Sequence, residues 1–112
     1  MCTKSQLEAI EEEMVNYYRS VYGDSIDTII LYGSYARGDY SDDSDIDITA
    51  IVRGNRVELQ KKLKKMWDLS TEVGLEYDVI VSPTVIPYDE FEQYKEKLPY
   101  YRNIVKEGRK IG

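Results

Sequence analysis

Gly33-Ser34-Tyr35-Ala36-Arg37-Gly38, followed after five intervening residues by Ser44-Asp45-Ile46-Asp47-Ile48, is the stretch on which the organisation of this chain turns. Just upstream, Thr28 to Tyr32 is short, β-branched and apolar and stops at Gly33, the pattern of a buried strand. Downstream, Ile46 to Val52 predicts a second strand, with Ile46, Ile48, Ala50 and Val52 on one face and Asp45, Asp47 and Thr49 on the other. Gly33 has no Cβ, so the backbone can turn sharply there and a ligand can come close. Ser34 is placed to cap a short helical turn whose N–H groups point past the strand end and suit a phosphate. Arg37 and the backbone around Gly38 add to that cradle.

The two aspartates carry the stronger signal. Residues two apart in a strand project from one face with their Cα atoms about 6–7 Å apart. Two ionised carboxylates held that close are unfavourable unless a cation lies between them. An all-oxygen donor set selects Mg²⁺ or Mn²⁺ over zinc. Asp78 supplies a third carboxylate inside the apolar run Leu75 to Ser82, which predicts a third strand closed by Pro83, with Glu76, Asp78, Ile80 and Ser82 on one side. If that strand neighbours Ile46–Val52, three carboxylates share a face and can bind two divalent ions about 3.5–4 Å apart, as in-line displacement at phosphorus requires. A calcium loop is excluded: starting from Asp39 or Asp43, Ser44 or Ile48 stands where glycine is needed, and Ala50 or Gly54 where glutamate is needed. No P-loop is present either.

Outward from this centre, Leu7, Ile10, Met14, Tyr17, Tyr18 and Val21 follow helical spacing. Ser5 with Glu8 reads as a capping box, predicting a helix from Gln6 to Tyr22 that Gly23 breaks. Leu59, Leu63, Met66 and Trp67 predict a basic amphipathic helix ending near Gly74, its polar side a solvated face. Phe91, Tyr94 and Leu98, then Tyr101, Ile104 and Val105, predict two C-terminal helices separated by Pro99. Most of the eleven tyrosines, Tyr17, Tyr18, Tyr77 and Tyr94 among them, fall at core spacing, whereas Tyr35 and Tyr40 flank the phosphate turn. The element order predicts one domain over residues 1–112, an α/β (α+β) fold with a small mixed sheet of three or more strands and helices packed on one face.

Composition narrows the chemistry further. There is no histidine, which removes serine–histidine and cysteine–histidine nucleophile chemistry and histidine-ligated zinc. Five of the nine residues from Asp39 to Asp47 are aspartate, while Arg53–Lys65 holds six basic residues and one acid, and Lys95–Lys110 six and two. A net charge of −6 argues against non-specific nucleic-acid binding. No apolar run approaches the ~20 residues that span a bilayer. The N-terminus lacks a secretory core. Cys2, the single cysteine, is expected in a frayed terminus and fits a reducing cytoplasm.

The pattern spread over the sixteen residues from Gly33 to Ile48 resembles the signature of minimal nucleotidyltransferases, the smallest members of the DNA-polymerase-β-like superfamily. The helix-strand-strand-helix-strand order and Asp78 extend the resemblance over most of the chain. It implies a polymerase-β-like core in which Asp45 and Asp47 hold two Mg²⁺ ions and Asp78 completes one. It also implies that Gly33 and Ser34, helped by Arg37, bind the β- and γ-phosphates of ATP. An acceptor hydroxyl would attack the α-phosphorus, pyrophosphate would leave, and Asp78 would take the proton. Many such proteins carry arginine where this chain has Tyr35, a departure that leaves the metal ligands untouched.

Stand-alone proteins of this kind are commonly antitoxins paired with a helical HEPN ribonuclease toxin. They act by binding it, by transferring AMP to a toxin tyrosine, or both. The resemblance therefore implies a cytoplasmic protein adenylyltransferase whose acceptor lies on a HEPN-type partner. Two alternatives stand beside it. The same fold would neutralise a partner by contact alone, or it would be a small-molecule, aminoglycoside-type nucleotidyltransferase whose acceptor-binding half is a separate subunit.

Overall fold

The computed structural model describes residues 3–112, so the expectation for Cys2 lies outside the described residues. The elements run α1 (Lys4–Tyr22), a 3₁₀ turn (Gly23–Ser25), β1 (Ile26–Tyr32), α2 (Ser34–Arg37), β2 (Ile46–Val52), α3 (Arg56–Tyr77), β3 (Val81–Pro87), α4 (Tyr88–Tyr94), α5 (Pro99–Glu107) and β4 (Arg109–Lys110). The sheet order is β3-β2-β1-β4. β1 is antiparallel to β2 and β4, and β2 is parallel to β3. A parallel pair needs a long crossover, which α3 supplies.

The alternation in β2 divides the molecule. Ile46, Ile48, Ala50 and Val52 join Ile29, Leu31, Val81 and Val85 against Ile10, Met14 and Tyr18 of α1 and Leu59, Leu63, Met66 and Val73 of α3. That layer matches the mixed sheet with helices on one face that the sequence predicts. The structure adds a second, smaller layer on the opposite face, where Ile30, Ile51 and Ile86 meet Phe91 of α4 and Tyr101 and Ile104 of α5. Pro99 opens α5 at a position where its missing N–H costs nothing.

Two tyrosines tie α1 to its neighbours through polar contacts inside apolar surroundings. The hydroxyl of Tyr18, fully buried, lies within donating distance of the Thr84 carbonyl (2.8 Å) and the Ile48 carbonyl (3.1 Å) and accepts the Thr84 N–H (3.2 Å), locking the helix onto the β2–β3 seam. Tyr22 donates to the Leu59 carbonyl of α3 at 2.9 Å, and burial pushes its phenol up to about 12.

Three sequence expectations change. The capping box of α1 is Thr3 with Gln6 rather than Ser5 with Glu8, so the helix starts two residues earlier than expected. Gly74 does not end α3, which continues to Tyr77. Its closing N–H groups, those of Asp78 and Val79, both bond the Gly74 carbonyl. The third strand accordingly starts at Val81, and Pro83 lies within it. The bond from the Ile46 N–H to the Ile80 carbonyl sets the register, with Val81, Pro83, Val85 and Pro87 on the positions whose N–H points away from β2. Both prolines therefore leave the ladder intact and shield an edge strand from further pairing.

Gly74 is required by close approach, because a Cβ there would stand 2.5 Å from the Val79 carbonyl oxygen. Elsewhere in a helix, replacing glycine with alanine stabilises by roughly 0.5–1 kcal/mol. Here the sign inverts. Chemical denaturation of Gly74→Ala should show a loss of about 1–3 kcal/mol, the usual cost of overpacking.

Candidate active site

β1 ends at Tyr32, and the next residue leaves the strand in a conformation reserved for glycine, Gly33 at φ 75°. A four-residue turn follows, α2, in which the Gly33 carbonyl accepts from the N–H groups of Ala36 and Arg37, and the Ser34 carbonyl from those of Gly38 and Asp39. Gly38, at φ 86°, closes it in a left-handed cap. Ser34 is thus the first residue of the turn rather than its cap, a place taken by Gly33 with no side-chain hydrogen bond.

The antiparallel register sets Tyr32 opposite Asp47, which brings the carboxylate of β2 to the start of that turn. Contact there is intimate, since a Cβ on Gly33 would fall 2.5 Å from Oδ2 of Asp47. Asp45 precedes β2 and is exposed, whereas Asp47 is half-buried. Burial, and then the nearby charge of Asp45, raise the Asp47 carboxyl above its ordinary value, offset in part by Arg37. Gly33 thus meets Asp47, Ser34 follows it at the head of the turn, and Asp45 lies near enough to act on Asp47. Such an all-oxygen carboxylate pair, with one member desolvated and pressed by its neighbour, fits a hard divalent cation.

Arg37 has another employment. Its Nε donates to Asp39 and its Nη1 to Glu107 of α5, both at 3.1 Å. The guanidinium therefore ties α5 to the turn. Tyr35 and Tyr40 depart from expectation. Tyr35 is buried in the main core and stacks on Tyr40 with centroids 4.2 Å apart and planes 6° from parallel. The pair pins the start of the acidic loop, whose residues Ser41 and Ser44 bond each other.

Asp78 is the principal correction. It lies in no strand but at the end of α3, at φ 55°, in a left-handed cap that aspartate tolerates better than most residues. The residue that β3 sets beside Asp47 is Ser82. Asp78 instead borders a recess of about 410 Å³ together with Asp42, Asp43 and Asp45. Among the described residues no three acidic, cysteine or histidine side chains are grouped to hold one metal ion.

The structure also supplies residues the sequence did not single out. The Tyr32 hydroxyl meets that of Tyr100, from α5, at 2.8 Å. Nothing in the local sequence around Tyr100 marks it, because its partner is 68 positions away.

Residues 8–111 match the family model of the nucleotidyltransferase domain. The chain belongs to the nucleotidyltransferase family. This nucleotidyltransferase is 37% identical over 98 residues to "Putative protein adenylyltransferase MJ0604" of Methanocaldococcus jannaschii, covering 88% of the chain and 90% of the relative. A second protein of that description and organism, MJ0141, is 33% identical over 81 residues, covering 70% and 80%. Among solved structures, a toxin–antitoxin with AMP-PNP superposes with a TM-score of 0.56 at 18% identity, covering 91% of this chain and 72% of that one. The complex of a tri-AMPylated Shewanella oneidensis HEPN toxin with an MNT antitoxin gives 0.53 at 16%, covering 96% and 71%. At such identities what is shared is the fold.

Gly33→Ala tests the contact on which the site is built. The added methyl has no room beside Asp47 and is strained at positive φ, so nucleotidyl transfer should fall by about 10²-fold, the scale of an ångström-sized misplacement. Steady-state pyrophosphate release, with circular dichroism to verify the fold, measures it.

Proposed function

We propose that this nucleotidyltransferase is a divalent-metal-dependent protein adenylyltransferase. It moves AMP from ATP to a tyrosine hydroxyl of a HEPN-type toxin and acts as that toxin's antitoxin. The observation that carries the reading is the seating of the Asp47 carboxylate against Gly33, beside Asp45 and at the mouth of the α2 turn. Relatives described as protein adenylyltransferases support the acceptor class, and a fold neighbour caught with a tri-AMPylated HEPN toxin supports the partner. No helix of the described residues is long and apolar enough to cross a membrane, which is compatible with a cytoplasmic pair.

Each residue has a part that follows from its placement. Gly33 and the opening of the α2 turn receive the outer phosphates, because the missing side chain lets them approach and the first amides of a helical turn have no acceptor within it. Asp45 and Asp47 hold the cation. When bound there, magnesium or manganese neutralises triphosphate charge and makes the attacking hydroxyl more acidic. Ser82, beside Asp47 on β3, lines the same face with a neutral hydroxyl. We assign Asp78 to the rim of the acidic recess, where with Asp42 and Asp43 it attracts cations and repels unneutralised phosphate.

The test uses the chain, Mg²⁺, ATP labelled at the α-phosphate and the protein encoded beside it. Transfer of label to that protein is expected, and should vanish in the near-isosteric Asp47→Asn with no change of fold. Asp78→Asn should retain transfer to within about tenfold, less than ~1.4 kcal/mol of barrier. Undiminished transfer by Asp47→Asn would refute the site. Equal loss in both variants would return Asp78 to the metal. A stable, inactivating complex without label would make the chain a neutraliser by contact alone.

A further inference from the structure

The face of the sheet that presents Asp47 also presents Tyr32, its register neighbour on β1. The Tyr32 ring packs toward the α4–α5 layer, and its hydroxyl is held by the hydroxyl of Tyr100, with the two rings edge to face at 5.9 Å. Tyr100 sits at the start of α5, and Glu107, at the end of that helix, is held by Arg37 of the phosphate turn. Both ends of α5 are therefore fastened to elements of the catalytic face. The helix cannot drift from the site without breaking one of these contacts.

Tyr100 differs from every other tyrosine in the chain. Tyr18, Tyr22, Tyr35 and Tyr101 are buried and six more are half-buried, leaving Tyr100, 45% exposed, as the one tyrosine on the open surface. Its ring packs on Tyr32 and Tyr101, its hydroxyl bonds that of Tyr32, and it is separated from Asp47 by one residue, Tyr32. Tyr32 itself is nearer but is half-buried.

We propose that Tyr100 is an acceptor for the chain's own adenylyl transfer, a site of self-modification within the same molecule. The inference rests on the nucleotidyl-transfer reading of the site. Oη of Tyr100 bonds to the α-phosphorus of ATP as the bond between that phosphorus and the α,β-bridging oxygen breaks. Pyrophosphate departs with the electron pair of the broken bond, and the phenol proton passes to solvent. The product is a tyrosyl-AMP phosphodiester, and the hydrogen bond to Tyr32 is replaced by a group carrying one negative charge on the face that holds Asp47. Tyr32 acts as a positioning residue, since its hydroxyl fixes that of Tyr100 before transfer.

The experiment incubates the full chain alone with Mg²⁺ and ATP labelled at the α-phosphate, follows pyrophosphate, and locates the adduct by peptide mass spectrometry. One AMP on Tyr100 is expected, absent from Tyr100→Phe and from Asp47→Asn, with both variants retaining the wild-type melting profile. An equimolar mixture of those two variants should also stay unlabelled, because neither chain has both site and acceptor. Label on Tyr100 in the mixture overturns transfer within one molecule. Pyrophosphate release with Tyr100 unmodified, or label confined to other residues or to an added partner, overturns the inference and leaves the transfer reading standing. Neither pyrophosphate nor label, from the chain alone and with the partner added, overturns both.

Discussion

The contact between the Asp47 carboxylate and the bare Cα of Gly33 organises the rest of this molecule. It exists because β1 and β2 pair antiparallel with Tyr32 opposite Asp47, so that a residue near the start of one strand meets the end of the other. Both strands place their alternate residues in the main core, and a slip by one position would exchange that buried set with the polar one. The register that buries Ile46 and Ile48 is therefore the register that seats Asp47. Fold stability and site geometry are set by one alignment.

That seating leaves an electrostatic deficit. A half-buried carboxylate beside a second one is disfavoured in its charged form, and burial is the larger cause. Arg37 offsets that cost only in part, its guanidinium being bonded to Asp39 and Glu107. A divalent cation held by Asp45 and Asp47, as proposed above, would relieve that cost. The arginine does a different service by holding α5, and with it the exposed phenol of Tyr100, against the catalytic face.

Similarity and geometry answer different questions. The family match and the two archaeal relatives make the chain a nucleotidyltransferase, and the solved toxin–antitoxin structures share its fold. A fold by itself hosts many acceptors, so the choice of acceptor has to be read from side chains near the reacting centre. Here those are few: a neutral serine, two aspartates, and a tyrosine pair that joins the sheet to α5.

Local pattern alone determined a good deal. The alternation of β2 fixed its limits and faces, the glycine after an apolar run fixed the turn that follows β1, and the spacing of Asp45 and Asp47 predicted that the two carboxylates lie close enough to interact. Each of these depends on neighbours within a few residues. Tertiary structure decided what depends on distant ones. The apolar run after Leu75 fits either a strand or the end of a helix, and in the structure the Val79 carbonyl folds back over Gly74 to close the helix. That choice turned Asp78 from a strand residue into a left-handed helix cap and gave its expected place beside Asp47 to Ser82. Arg37 found Glu107, and Tyr32 found Tyr100, only because α5 packs on the second face of the sheet. Periodicity records which side of an element is buried, but not which distant side chain will meet it there.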